Sequence, residues 1–186
     1  MIASVRRPFG LSIVVLGLVT ASACDRQPAP VAPTASLDGG STAASGGASV
    51  LSQDLASLKR ALAAFHDIDK AMAAGWDTQI TPCLTLAGVG GQGFHYGNTD
   101  LIDGSITPLQ PELLLYEPRG TRRHLTGVES IIPFAAWTDA SPPSLYGETF
   151  HRNEALGLWV LHVWLWKPNP DGMFADWNPN VSCPGA

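Results

Sequence analysis

An α+β domain, with one N-terminal amphipathic helix packed on an antiparallel sheet and long Gly/Pro-rich loops, is the fold class that this chain predicts. Three observations lead there. Leu51, Leu55, Leu58, Leu62, Phe65 and Met72 recur at steps of three, four and seven, which places them on one helical face. Beyond Thr81 the texture changes to short apolar segments cut by Gly, Pro and Asn. The segment from Leu156 to Trp166 has no polar alternation except at His162, the pattern of a strand covered on both faces.

In chain order, residues 1–23 come first. Arg6 and Arg7 precede an apolar run from Leu11 to Val19, followed by Ala21, Ser22 and Ala23. A positive start, a short apolar stretch and small residues describe a bacterial export signal. The run is too short to span a bilayer comfortably. The small residues before Cys24 resemble a lipobox, although Ala21 stands where that pattern prefers Leu. The resemblance implies cleavage before Cys24 and its acylation. The product is a membrane-anchored lipoprotein on the periplasmic or cell-surface side. Ordinary cleavage after Ala23 is the alternative and leaves a soluble secreted protein. Asp25 resembles an inner-membrane retention signal of enteric bacteria. Ser4, Arg6, Arg7 and Phe9 resemble a twin-arginine leader, which Val5 and Pro8 fit poorly.

Residues 24–49 are mostly Ala, Pro, Ser, Thr and Gly, a composition that buries no core and predicts a disordered tether. Residues 50–186 have the length of one domain. The formal charge of -5 becomes -7 once Arg6 and Arg7 are removed with the leader. An acidic surface argues against nucleic acid and against electrostatic binding to anionic lipid.

Gly75 is placed to end the helix, with Trp76 turning back towards the core. Leu113 to Tyr116, His124 to Ile132 and Leu156 to Trp166 are the strand candidates. Ala87 to Gly104, with six glycines, reads as a long loop, as do Thr138 to Thr149 and Lys167 to Pro184. Loops of this length are either functional or simple surface irregularity. Cys83 and Cys183 predict a structural disulfide closing roughly 100 residues, worth up to about 4 to 5 kcal/mol. Separate thiols or metal ligands are the alternative, but neither cysteine has the close Cys or His neighbour usual in zinc sites.

Histidine is the residue type that brings chemistry. His95 lies in a glycine-flanked turn with Phe94 and Tyr96. His151 follows Phe150, with Glu148 nearby, and His162 sits within the most apolar strand. A buried imidazole must satisfy two ring nitrogens. One solution is that His95, His151 and His162 converge on a divalent transition metal, zinc, copper or iron, with Glu129 or Glu148 as the acidic ligand. In an extended Gly127 to Ile131, Glu129 shares a face with Leu125 and Ile131, and a carboxylate there needs a positive partner. His66, at the edge of the helical stripe, supports the site in this reading, and His124 beside Arg122 and Arg123 faces solvent. The competing account is that each histidine separately bonds to backbone or to an acid.

Other chemistries leave weaker traces. A cupin needs two histidines one residue apart, and His95 has no such neighbour. There is no Gly-x-Ser-x-Gly elbow and no Gly-Lys-Ser/Thr phosphate loop. The run from Asn169 to Asn180 lacks the spacing and closing glutamate of an EF-hand, and its Asn-Pro and Asp-Gly pairs suit turns.

His66 and Asp67, Gly93-Phe94-His95-Tyr96, Leu115-Tyr116-Glu117-Pro118, Gly127-Val128-Glu129 and the ending from Leu161 to Cys183 resemble an uncharacterised family of exported bacterial proteins. The resemblance spans about Leu58 to Pro184. It implies a shared fold and export and carries no activity with it. Two functional classes follow from the sequence. One is an extracytoplasmic metal-binding protein, an enzyme if a coordination position stays open. The other is a tethered binding module in which Trp137, Trp159, Trp164, Trp166 and Trp177 line a cleft for a small molecule or an envelope protein.

Overall fold

A computed structural model of the chain describes residues 42–184; the leader, Cys24 and residues 24–41 of the tether lie outside them. The fold is α+β, as the sequence predicts. Helix α1 (Thr42–Ala61) leads through a 3-10 turn (Ala63–His66) into α2 (Ile68–Ala73). The strands that follow are β1 (Thr78–Gln79), β2 (Leu84–Leu86), β3 (Gly90–Gly97), β4 (Leu113–Arg119), β5 (Arg122–Pro133), β6 (Ser144–Leu145), β7 (Glu148–Thr149), β8 (His151–Asn153) and β9 (Leu158–Val163). The main sheet is antiparallel in the order β1-β3-β4-β5-β9-β8, with β2 also on the outer edge of β3. β6 and β7 form a separate hairpin.

The single amphipathic stripe is divided between two helices. Tyr116 Oη donates to Phe65 O at 2.7 Å, which fixes the 3-10 turn, and the Asp67 side chain caps α2 by accepting from Asp69 N. The break rotates the stripe: Ala71 takes the buried place and Met72 turns to solvent. Gly75, at φ +105°, ends α2, and Trp76 then folds back so that its indole Nε1 donates to Pro111 O. α1 begins at Thr42, so residues 42–49, expected in the tether, continue the helix. Nucleation at the buried Leu58 and Leu62 allows an Ala-containing segment upstream to propagate.

One face of the sheet, with Tyr96, Leu114, Tyr116, Leu125, Val128 and Val163, packs on Leu58, Leu62, Ala71 and Trp76. The opposite face carries Leu113, Leu115, Ile131 and Val160. Leu125 was expected beside Glu129 on one face, but a β-bulge separates them. Leu115 pairs with Gly127 and Tyr116 with Leu125, leaving Thr126 as the extra residue. Leu125 therefore joins the helix-side core, while Gly127, Glu129 and Ile131 point the other way.

The glycine-rich segment expected as a loop holds β3. Its glycines serve close approach: a Cβ at Gly90 or Gly91 would meet the backbone of Asn178 or Val181 within 3 Å. The C-terminal segment thus lies directly on β3, through an isolated bridge between Gly91 and Asn178. β9 ends at Val163, earlier than its apolar run, because Trp164 leaves the sheet and its backbone N–H donates to Met173 O. Cys83 and Cys183 form the predicted disulfide and tie this segment to the start of β2. Lys167 Nζ lies 2.9 Å from both carboxylate oxygens of buried Glu117, which neutralises that charge.

Glu112, buried just before β4, accepts a hydrogen bond from Ile131 N at 3.0 Å. Burial pushes its carboxyl up to about 7. The native state therefore binds this proton more tightly than the unfolded chain. Its contribution to stability is fully present in acid and is lost as pH rises from about 4.5 to about 7. Chemical denaturation at pH 5 and pH 8 should show Glu112→Gln gaining on the parent by up to about 3 kcal/mol at the higher pH. An equal gap between parent and variant at both pH values would contradict this.

Candidate metal centre

Three strands each place one donor on the same face. Glu129 on β5 stands directly across from His162 on β9, and His95 on β3 faces Leu115, one row away from the Leu113–Glu129 pair. All three side chains are buried, at 3 % exposure for His95, 7 % for Glu129 and 2 % for His162. His95 Nε2 lies 3.1 Å and His162 Nε2 3.7 Å from Glu129 Oε2. One donor atom from each residue falls within 4.8 Å of the others, so the cluster can hold a metal ion. Tetrahedral zinc with bonds near 2 Å separates its donors by about 3.4 Å, a spacing the two measured distances bracket.

Neighbours orient both imidazoles. His95 Nδ1 is 2.7 Å from Thr81 Oγ1, and the same hydroxyl accepts from His95 N at 3.3 Å. With Nδ1–H donating to that oxygen, the Nε2 lone pair faces Glu129. His162 Nδ1 lies 3.4 Å from Asp176 Oδ1, and Trp164 stacks on its ring at 6.1 Å between centroids. A carboxylate behind a ligating imidazole is the usual outer partner of a protein metal site. Yet neither ring nitrogen of His162 has a hydrogen bond of acceptable geometry among the described residues. An orphaned buried polar group costs about 1 to 3 kcal/mol, so this imidazole calls for a proton or a cation between itself and Glu129.

Comparisons with protein-family models, curated proteins and solved structures return no match. The chemistry of the site therefore rests on its own geometry.

Charge follows that geometry. Burial alone would raise the Glu129 carboxyl, but the imidazoles of His162 and His95 outweigh it and hold the group below the ordinary carboxylate range. Burial alone would lower His162, but Glu129 and Asp176 raise it above the ordinary imidazole value. The His162 imidazole 3.4 Å away, opposed by partial burial, and the hydrogen bond to His151 hold the Asp176 carboxyl below its ordinary range. Negative potential converges on one buried point.

The remaining candidates lie elsewhere. His151, on β8, stands across from Val160 on the same face, but its Nδ1 binds Asp176 Oδ1 at 2.9 Å and its side chain is half-exposed. It is outside the three-donor cluster and reaches it through Asp176. Glu148 is exposed on β7. His66 sits on the helix side of the sheet, edge-on to Trp166 and near His124, not beside the cluster. Of the tryptophans, Trp177 lines the cleft above the cluster, while Trp159 packs with Phe134 and Trp164 with Leu115 and Val181.

Asp176 and Thr81 are the site residues that the sequence left unmarked. Asp176 lies in a run whose Asn and Asp residues read as turn formers, and Asn169 and Asn178 do accept from Asp171 N and Asn180 N. The same run is pinned to the sheet by Trp164 Nε1 donating to Ala175 O and Gln92 Nε2 donating to Asp176 O. Thr81 carries no local signal; its role comes from the pairing of the β1 region with β3.

Proposed function

We propose that this domain binds one divalent transition metal through His95 Nε2, His162 Nε2 and Glu129 Oε2, as an exported, lipid-anchored protein of the bacterial envelope. The observation that carries the metal reading is His162, buried and without hydrogen bonds among the described residues, turned towards a buried carboxylate and a second imidazole. Two imidazoles and one carboxylate suit zinc, copper or iron. The cluster lines a cleft of about 650 Å³ that also reaches solvent-exposed residues. Three protein donors beside a cleft leave positions for an exogenous ligand, the arrangement of catalytic centres rather than closed structural ones. Bound there, the ion would supply Lewis acidity for hydrolysis or, as copper or iron, a redox centre. Thr81 and Asp176 would fix the ring orientations, and Asp176 also holds His151 at the cleft.

Export rests on the leader and on Cys24, and the Cys83–Cys183 disulfide is compatible with an oxidising compartment. Metabolic labelling with a radioactive fatty acid, compared with Cys24→Ala, tests the anchor. Elemental analysis of the chain, exported and purified without a metal-affinity tag or chelator, tests the centre. About one zinc, copper or iron per chain is expected, falling to background in His162→Ala while the circular dichroism of the fold persists. Absence of metal after reloading would contradict the reading.

A further inference from the structure

Resting on the metal reading above, we propose that the cleft takes a small amphiphile: a neutral or singly charged metal-coordinating head followed by an apolar chain. The cleft is divided by polarity. His95, Glu129 and His162 form its polar base, and Ile80, Leu84, Leu113, Ile131, Leu158 and Val160 form its walls. Two large apolar side chains at the same cleft stay turned to solvent, Ile80 at 44 % and Leu156 at 68 % exposure. Apolar surface left exposed around a polar floor is characteristic of a ligand site.

The charges select the head group. Among the described residues Arg152 is the one cation of fixed charge lining the cleft, and its guanidinium is engaged. Its Nε donates to Glu154 Oε1 at 2.6 Å, and it lies over the rings of Phe134 and Trp159. Among the described residues no lysine lines the cleft, whereas Glu129, Glu154 and Asp176 do. A divalent ion offset by Glu129 leaves about one net positive charge at the base, and Asp176 stands next to it. A dianion such as a phosphate monoester therefore finds no second cation to receive it, while a neutral or monoanionic chelating head meets the ion alone. The chain beyond the head gains by burying methylenes against the walls.

The test uses the exported chain loaded with zinc, its zinc content first verified by elemental analysis. Calorimetric titration follows with acetohydroxamate, hexanohydroxamate and octanohydroxamate, and with octyl phosphate. Each of about the first four added methylenes is expected to tighten binding about threefold before the walls are covered, giving about 100-fold between the two- and eight-carbon hydroxamates. Octyl phosphate is expected to bind more weakly than octanohydroxamate. In the surface variants Ile80→Gln and Leu156→Gln, the ratio of octano- to acetohydroxamate affinity should fall by about threefold or more. Zinc bound with a flat chain-length series, or tighter binding of octyl phosphate, would overturn this proposal and leave the metal site standing. Failure to take up zinc would overturn both.

Discussion

Glu129→Gln is expected to weaken zinc binding by about two orders of magnitude or more, the largest single effect in the molecule. Loss of an outer partner alone already costs a metal site about 10- to 100-fold, and Glu129 is the anionic donor itself. Gln keeps the size of the side chain but removes the charge that holds His95 and His162 on either side of one oxygen. Competition with a chromophoric chelator measures the change. The same substitution should alter the pH dependence of the metal-free protein. Glu129 is depressed, so its contribution to stability is present above the ordinary carboxylate value and lost in acid. His162 is raised, so its contribution is complete below the ordinary imidazole value and is lost as pH rises through its own higher value. Together they are complete between about pH 4.5 and 6.5, and Glu112, whose contribution is lost as pH rises from about 4.5, draws the stability maximum of the metal-free parent to the acid end of that range. Zinc requires the neutral imidazole, so its stabilising effect should grow as pH rises through the His162 transition. Thermal melts with and without zinc from pH 5 to 8 should therefore diverge with increasing pH, and Glu129→Gln should abolish the divergence. Parallel curves for the parent would count against the cluster as the binding site.

Removing the disulfide should have the largest effect on the fold. Cys83 and Cys183 are separated by 100 residues, and a loop of that length restrains the unfolded chain by up to about 4.7 kcal/mol. The bond also holds the segment that covers the site face of the sheet. Val181 packs on Leu115 and Trp164, and buried Asn178 joins Gly91 to Lys167 through its backbone and its side-chain amide. The double variant Cys83→Ala/Cys183→Ala should show a lower urea midpoint, and its zinc affinity should weaken because Asp176 belongs to the loosened segment. A midpoint within experimental error of the parent would contradict this account.

The sequence carried the sheet better than it carried the site. The β4, β5 and β9 segments were legible because continuous apolar runs between Gly, Pro and Asn leave few other structures. β3 was hidden because its glycines, which ordinarily mark loops, are required by the C-terminal backbone lying on it. The division of the helix depends on Tyr116 reaching Phe65 O, a contact between residues far apart in sequence that no local pattern encodes. His162 and Glu129 could be named in advance, since a histidine in an apolar strand and a carboxylate in another each demand a partner; His95 was named from a glycine-flanked turn that the structure shows as strand β3. His151 could not be separated from them, because its place beside the cluster is decided by Asp176. Asp176 itself was masked by neighbours whose side chains do form turns.

The most direct measurement is a crystal structure of the zinc-loaded chain with anomalous diffraction collected on both sides of the zinc absorption edge. The predicted result is one anomalous peak within about 2.0 to 2.2 Å of His95 Nε2, His162 Nε2 and Glu129 Oε2, with Asp176 behind His162 and His151 outside the coordination sphere. A peak elsewhere, or a loaded crystal in which His162 instead gains hydrogen bonds to protein and binds no metal, would contradict the central claim.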